Sequence, residues 1–449
     1  MQSFNRREFL EWSAGATLGL TMLGRAEAQE PEKPRERPKP QPVEKVGPNE
    51  IINVACIGVN GRGMDQVHYF ARSRETQVVV ICDVDPNVIK RGMQTVETYQ
   101  GKPPEFVQDL RRVMDNKDVD VVTIATPNHW HALATIWACQ AGKDVYVEKP
   151  VCHNVYEGQK MVEAARKHKR IVQSGTQIRS SEAIREAMDY IHSGKLGKVF
   201  MAKGLCYKPR GSIGKCEGET PVPPGVDYNL WLGPAPYQPI RRKRFHYDWH
   251  WFWDYGNGDL GNQGIHQMDV ARWGLNKKEF PKRVYSNGGR FGYEDDGETP
   301  NTQLALLEYD DCLLQFEVRG LLTNDDGNRE MGVRIGNIFY GTEGYMLIPS
   351  YSSWQVYLPD GSKGPGGSKG GDHYANFLAA VRSRKYTDLN ADIEEGFISS
   401  ALCHYANISY RLRREIYIDP KTGKCNGDAE ANRLLARDYR KPFVVPESV

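Results

Sequence analysis

Between Asn53 and Ser174, short apolar runs alternate with longer stretches in which apolar residues recur at helical spacing. Strands that are apolar throughout are typical of a parallel sheet covered on both faces by its crossover helices. The pattern therefore predicts an α/β domain over residues 50–174, without an internal repeat. The predicted strands are Asn53–Val59, Val78–Asp83, Val119–Ala125, Asp144–Val147 and Ile171–Ser174, and the predicted helices are Met64–Arg72, Asn87–Tyr99, His131–Ala141 and Val155–Lys167.

The pattern changes after Ser174, where several segments alternate apolar and polar residues as half-buried strands do. Strands in succession without intervening helices indicate an open, mostly antiparallel sheet. Residues 175–449 are therefore predicted to form an α+β domain. Its predicted strands are Lys198–Tyr207, Thr302–Tyr309, Cys312–Arg319, Val333–Tyr340 and Tyr345–Ile348.

The N-terminus reads as an export signal rather than as part of the fold. The pair Arg6-Arg7 precedes an apolar stretch that ends at Leu23, and Ala26-Glu27-Ala28 is a small-x-small cleavage site. This stretch is too short for a permanent membrane anchor. We expect residues 1–28 to be a twin-arginine signal peptide read by the export machinery and the mature protein to be periplasmic. Residues 29–49 are rich in proline and charge, and are predicted to be an extended linker.

The chain of 449 residues is long enough for two domains, and its formal net charge of +2 gives no basic surface for nucleic acid. The nine cysteines form no CxxC pair, and most are interpreted as structural thiols. If the protein is exported, Cys206 and Cys216 are the pair to consider for a disulfide.

A glycine-rich turn follows the first predicted strand and opens the first helix. Gly58, Asn60, Gly61, Arg62 and Gly63 occupy this turn, where backbone N–H groups can approach a diphosphate. The strand–turn–helix context favours a dinucleotide-binding (Rossmann) domain, although a purely structural turn remains the alternative.

An acidic residue closes the second predicted strand. The Asp83 carboxylate can accept hydrogen bonds from both ribose hydroxyls and would repel a 2′-phosphate. The cofactor is therefore predicted to be NAD, with NADP disfavoured.

Two further motifs resemble those of the Gfo/Idh/MocA oxidoreductases, which include glucose–fructose oxidoreductase and inositol dehydrogenase. They are the run Ala125–His131 and the Val147–Pro150 step, and the likeness extends from about Asn53 to Arg414. The resemblance implies that a lysine, Lys149, lies between nicotinamide and substrate, and that a set of neighbouring residues lines the cofactor. This implied set is Thr126, Asn128, His131, Glu148, Lys149 and Gln177.

The reacting end of the site is predicted beyond an aromatic-rich stretch, Phe245–Tyr255. Asn262, His266 and Asp269 are spaced as one face of a helix. The resemblance implies that His266 is the general base. The family usually has Asp where this chain has Asn262, so Asp259 or Asp269 is considered as its substitute.

The aromatic stretch has two readings: a core or subunit interface, or rings that stack on a sugar. The predicted substrate contacts are Arg179, Tyr207, Trp251 and Asp269. A metal site built from His246, His250 and His266 is an alternative, but the prediction is that no metal is bound.

These residues together predict an NAD(P)-dependent oxidoreductase that acts on a sugar or polyol, with His266 and Lys149 handling the reacting hydroxyl. A redox-neutral glycosidase or lyase that acts through a 3-keto sugar is the rival, and a sugar-binding module without activity is a third hypothesis. A homo-oligomer, dimer or tetramer, is expected from the family.

Overall fold

The N-terminal domain contains a six-stranded sheet, described here from a computed structural model of residues 45, 47, 50–321 and 328–449. All of its strand pairs are parallel, in the order β3-β2-β1-β4-β5-β6. This confirms the predicted parallel sheet. The strands are β1 (Ile52–Ile57), β2 (Thr76–Cys82), β3 (Glu105–Val107), β4 (Val121–Ile124), β5 (Asp144–Val147) and β6 (Val172–Ser174).

Helices cover both faces of this sheet and bury its apolar central strands on each side. The helices are α1 (Gly63–Arg72), α2 (Lys90–Gln100), α3 (Leu110–Asp115), α4 (Asn128–Gln140) and α5 (Val155–Lys167). The short β3 and α3 were not predicted. A three-residue strand and a six-residue helix are too short to show a periodic pattern of apolar residues. Helix α4 begins at Asn128, three residues before the predicted start, because Pro127 supplies its N-cap position.

The second domain is built on a mixed sheet of nine strands, in the order β14-β13-β12-β11-β7-β10-β9-β8-β15. Only the central pair β7–β10 is parallel, and the other pairs are antiparallel. The mostly antiparallel prediction is confirmed. The strands are β7 (Val199–Cys206), β8 (Arg283–Gly289), β9 (Thr302–Glu308), β10 (Leu313–Arg319), β11 (Ile335–Gly341), β12 (Gly344–Ser350), β13 (Ser353–Tyr357), β14 (Lys363–Ser368) and β15 (Ile416–Tyr417).

The helices of this part of the chain pack on the large sheet, on the first domain or on one another. They are α6 (Glu182–His192), α7 (Tyr228–Leu232), α8 (Gly258–Asn262), α9 (Gly264–Gly274), α10 (His373–Ser383), α11 (Ile393–Leu412) and α12 (Ala429–Arg433). Helix α9 lies on β7 and β11, and α11 contacts both α5 and α9. These contacts hold α9 beside the carboxyl ends of β5 and β6.

The later residues of the chain return to the first domain. Strand β6 ends at Ser174, the predicted boundary. Phe377 of α10 nevertheless belongs to the same buried cluster as Val54, and Phe443 packs on Trp130 at 5.4 Å between ring centroids. The predicted signal peptide, residues 1–28, and most of the linker, residues 29–49, lie outside the described residues.

All nine cysteines are free thiols in the described chain. Cys206 and Cys216 are therefore not joined: Cys206 is fully buried beneath α9, whereas Cys216 lies in a loop where its N–H donates to Asp296 at 2.7 Å. Among the described helices, none combines the length and apolar character that a membrane crossing requires.

The strand order fixes where a ligand can bind. Strand β1 lies between β2 and β4, so its two crossover connections leave on opposite sides of the sheet. The carboxyl ends of β1 and β4 therefore border a crevice, which is the usual ligand site of open α/β folds.

Candidate active site

The glycine turn lies at the mouth of this crevice and is shaped by close backbone packing. Gly58 has φ +80°, and a Cβ there would lie 2.8 Å from the Ala125 backbone. A Cβ on Gly63 would meet the Gly58 carbonyl oxygen at 1.8 Å. By contrast, nothing lies within 4 Å of the corresponding position on Gly61. The turn is thus closely packed at Gly58 and Gly63 and open at Gly61, which leaves space for a diphosphate at the start of α1.

Asp83 lies beside this turn, directly after β2. Its carboxylate accepts the N–H of Val59 at 2.9 Å and the N–H of Asp85 at 3.1 Å. Burial raises the pKa of Asp83. The position next to Val59 fits the proposed ribose contact, because each oxygen retains a lone pair for a hydroxyl.

The loop after β4 presents polar atoms that the protein itself leaves unpaired. Thr126 Oγ1 and Asn128 Oδ1 are buried and have no hydrogen-bond partner. The ring nitrogens of His131 lie 2.7 Å and 2.8 Å from the carbonyl oxygens of Pro150 and Thr126. Burial lowers the pKa of His131. His131 therefore ties two loops together, whereas Thr126 and Asn128 are available to a ligand such as the dinucleotide.

Glu148, at the end of β5, is the centre of a buried polar cluster. Its Oε1 accepts from Arg62 Nε at 3.1 Å and from the amides of Gln66 and Gln177, each at 3.3 Å. Gln177 also donates to the hydroxyl of Tyr146 at 3.0 Å. The arrangement joins the glycine turn to β5 and brings four predicted cofactor residues, Arg62, Glu148, Lys149 and Gln177, into one region.

Lys149 follows Glu148 and reaches across to the second domain. Its Nζ donates to the backbone carbonyl of Asn262 at 2.9 Å, and the Lys149-Pro150 peptide is cis. Burial lowers the pKa of Lys149, and the nearby Glu148 opposes that shift. The ammonium group is thereby held at the end of α8, next to the start of α9.

His266 lies on the first turn of α9 and is only 6% exposed. Its Nδ1 is buried without a hydrogen-bond partner, and its ring packs on Tyr351 at 5.1 Å between centroids. Burial lowers the pKa of His266 well below 6.5, and the charges of Lys149, Arg62 and Lys208 lower it further, as does His373. A neutral imidazole with a free nitrogen can accept a proton from a substrate hydroxyl.

The predicted single helical face through Asn262, His266 and Asp269 is wrong, because the helix is interrupted. Helix α8 ends at Asn262 and α9 begins at Gly264, so Gln263 separates them. The identified contact of Asn262 is through its backbone carbonyl, which accepts a hydrogen bond from Lys149 Nζ. Asp259 does not replace it, since both carboxylate oxygens of Asp259 bind Arg210, at 2.7 Å and 2.9 Å.

Arg179 and Asp269, both predicted to contact substrate, instead bind each other. Arg179 Nε and Nη2 donate to the two Asp269 oxygens at 2.7 Å and 2.8 Å. The side chains are 5% and 1% exposed, and Ser399 donates to the same carboxylate at 2.6 Å. The pair is placed to hold α9 against the short turn that contains Arg179 and against α11, rather than to bind a ligand.

Tyr207 and Trp251, also predicted to contact substrate, are engaged within the protein. The Tyr207 hydroxyl donates to Glu317 at 2.7 Å, and its ring is buried with Leu205 on the sheet face opposite α9. Strand alternation sends Tyr207 to that face and the next residue, Lys208, to the other. Trp251 is buried, and the Arg210 guanidinium lies over it, 5.3 Å from the centroid of the Trp251 ring.

The remaining aromatic stretch is mainly core. Phe245, Trp249 and Tyr255 share one buried cluster with Trp231. The histidines of the alternative metal site are engaged separately: His246 Nε2 is 2.7 Å from Asp85, and His250 stacks on Trp249 at 3.7 Å. Over residues 50–321 and 328–449, no three metal-ligating side chains are grouped.

Three residues near His266 were missed by the sequence analysis. The Lys208 ammonium donates to Gln263 Oε1 at 2.9 Å, and the Gln263 amide donates to the Tyr351 hydroxyl at 2.7 Å. Lys208 and Tyr351 each come shortly after a predicted strand, which is the one signal that could have identified them.

Models of two parts of one protein family match this chain. Residues 201–445 match the C-terminal alpha/beta domain of the GFO_IDH_MocA oxidoreductase family, and residues 52–176 match its NAD-binding Rossmann fold. A glycosyl hydrolase family 109 protein from Shewanella pealeana is 33% identical over 170 residues. That alignment covers 36% of this chain and 37% of the relative, little more than a third of either.

Solved structures agree on the fold. The WlbA dehydrogenase from Bordetella pertussis, in complex with NADH and UDP-GlcNAcA, has a TM-score of 0.60 at 20% identity, covering 82% of this chain and 99% of that chain. A levoglucosan dehydrogenase in complex with NADH and levoglucosan has a TM-score of 0.60 at 18% identity, with the same coverage of 82% and 99%. Because the C-terminal family model alone spans more than half of the sequence, this protein belongs to the Gfo/Idh/MocA oxidoreductase family, with an NAD-binding Rossmann domain.

Proposed function

We propose that this protein oxidises or reduces a ring hydroxyl carbon of a sugar or sugar-like polyol, using NAD held in the N-terminal domain. The observation that carries the proposal is the junction of α8 and α9. There Lys149, from the end of β5, donates to the Asn262 carbonyl four residues before the neutral His266. A base and a cation from two domains thus meet beside the glycine turn.

Each of these side chains has a defined task in the proposed reaction. His266 takes the proton of the hydroxyl that reacts, since its pKa lies below neutrality and its Nδ1 has no protein partner. The Lys149 ammonium donates a hydrogen bond to the same oxygen and stabilises its developing negative charge. When bound, the nicotinamide supplies the acceptor or donor of hydride. Arg62 and Gln177 position Glu148, which in turn lies next to Lys149.

Two kinds of relative, dehydrogenases and a glycosyl hydrolase, support a sugar as the substrate class. The two dehydrogenases described above were solved with a sugar nucleotide and with levoglucosan, and the curated Shewanella relative is named a glycosyl hydrolase. That last name favours a second candidate, a redox-neutral cleavage in which oxidation next to the scissile bond is later reversed. Lys149 and His266 would serve both reactions.

A pair of variants tests the assignment. His266→Ala should lower kcat by about 10²–10⁴-fold while NADH binding stays normal, as expected for a lost general base. Lys149→Ala should lower kcat and raise KM. The double variant should be little worse than the more damaged single variant, because both act on one proton transfer. The exposed His192, replaced by Ala, is the matched control and should retain wild-type turnover.

The outcome also separates the two reactions. Net formation of reduced nicotinamide in proportion to added sugar identifies a dehydrogenase, whereas glycoside cleavage without net reduction identifies the redox-neutral cycle. A His266→Ala protein with full activity would remove the central residue of both.

We also propose that the protein is exported by the twin-arginine route. The support is the Arg6-Arg7 pair, the apolar stretch and the Ala26-Glu27-Ala28 site. This route carries folded proteins, so NAD could be bound before export. The homo-oligomer stays a prediction.

A further inference from the structure

Two lysines at the candidate active site lack a carboxylate partner. Lys149 Nζ donates to the Asn262 carbonyl at 2.9 Å and Lys208 Nζ to the Gln263 amide oxygen at 2.9 Å. Within the described ranges, these neutral groups are their only hydrogen-bond acceptors, and neither ammonium has a carboxylate oxygen within 4.0 Å. Since Asn262 and Gln263 are consecutive, both charges lie at the junction that leads to His266.

The carboxylates around this junction are paired with arginines. Glu148 accepts from Arg62 at 3.1 Å, and Asp259 binds Arg210 through both oxygens. Glu148 attracts Lys149 and Asp259 attracts both lysines at longer range, but neither carboxylate lies within 4.0 Å of an ammonium group. Bound NAD in its oxidised form would add a further positive charge at the nicotinamide ring.

Ammonium groups without a carboxylate in contact carry an energetic cost in a partly desolvated site. Burial lowers the pKa of Lys208 and the adjacent Arg210 lowers it further, whereas Asp259 opposes the shift. The pKa of Lys149 is lowered in the same direction, first by burial, and Lys208 contributes to that shift. An anion placed between these groups would offset both effects.

We infer that the substrate is an acidic sugar, whose carboxylate binds Lys208 while its reacting hydroxyl lies between Lys149 and His266. The inference rests on the proposed function and names its substrate class. A carboxylate is favoured over a phosphate because one ammonium and the neutral Gln263–Tyr351 pair match a single negative charge. Arginine forks, the common phosphate ligands, are here bound to Glu148 and Asp259.

The test compares uronic acids with their neutral parent sugars on the full chain loaded with NAD. Glucuronate and glucose, and galacturonate and galactose, are titrated by calorimetry against the wild type, Lys208→Gln and Lys208→Arg. We expect the wild type to bind at least one uronate about 10–100-fold more tightly than its parent sugar, as for a hydrogen bond between charged groups. Lys208→Gln should abolish this preference, and Lys208→Arg should retain most of it. Lys363→Gln, an exposed lysine on β14, is the charge-matched control and should preserve the preference.

Several results would overturn the inference. They are equal binding of acid and neutral sugar, a preference that survives Lys208→Gln, failure of every uronate to bind, or binding of glucose 6-phosphate in place of the uronates. Weaker NADH binding in Lys208→Gln with unchanged sugar selectivity would assign Lys208 to the cofactor and also contradict it. Oxidation of a neutral sugar by the NAD-loaded protein would leave the proposed function intact, whereas loss of turnover on all sugars with NADH still bound would count against the function itself.

Discussion

Replacing Asp269 by Asn tests whether this residue supports the fold, as its contacts indicate, or binds substrate. The substitution keeps the size of the side chain and removes the charge that Arg179 meets at 2.7 Å and 2.8 Å. The Arg179 side chain is 5% exposed, so its charge would remain buried with Glu395, 3.1 Å away, as its remaining carboxylate partner in the described chain. Removing one member of a buried pair costs about 3–5 kcal/mol, and Glu395 should hold the loss to about 3 kcal/mol.

Urea unfolding, followed by tryptophan fluorescence and by loss of NADH binding, measures this change. We expect a lower midpoint for Asp269→Asn, with turnover per folded molecule reduced far less than in His266→Ala. Glu294→Gln removes the carboxylate of an exposed pair with Lys215 and should leave the midpoint unchanged. A variant with the wild-type midpoint but without turnover would refute the structural assignment and return Asp269 to the substrate site.

Three further predictions follow from the site and the N-terminus. The ratio kcat/KM should stay level as pH falls from 7 to 6.5 and decrease only at lower pH, because the pKa of His266 lies below 6.5 and the base acts when deprotonated. The ratio should also decrease at alkaline pH, when Lys149 loses its proton at a pKa below 10.5. Asp83→Ala should weaken NAD binding by about 10-fold or more and let NADP compete. An unchanged preference for NAD over NADP in parallel titrations would show that Asp83 does not bind the ribose. Replacing Arg6 and Arg7 by Lys should retain the protein in the cytoplasm, and normal periplasmic delivery on fractionation would contradict the twin-arginine route.

The sequence was sufficient for features that depend on neighbours along the chain. The parallel sheet could be read from its apolar runs, and the glycine turn from the strand before it and the helix after it. Asp83 was predicted from its place directly after β2, and Lys149 from the resemblance of its motif to the family, two residues after β5; the ends of parallel strands meet at one edge of the sheet. In each case the local order of residues carries the three-dimensional information.

Contacts between distant segments could be decided only by the tertiary structure. Arg179 and Asp269 are 90 residues apart, and a charged residue looks the same in a sequence whether it meets a ligand or a buried partner. Tyr207 and Lys208 point to opposite faces of the sheet, and only the packing of α9 on β7 determines which face belongs to the site. Sequence pattern fixes backbone geometry through short-range sterics and burial, whereas the partner of a polar side chain depends on which segments the whole fold brings together.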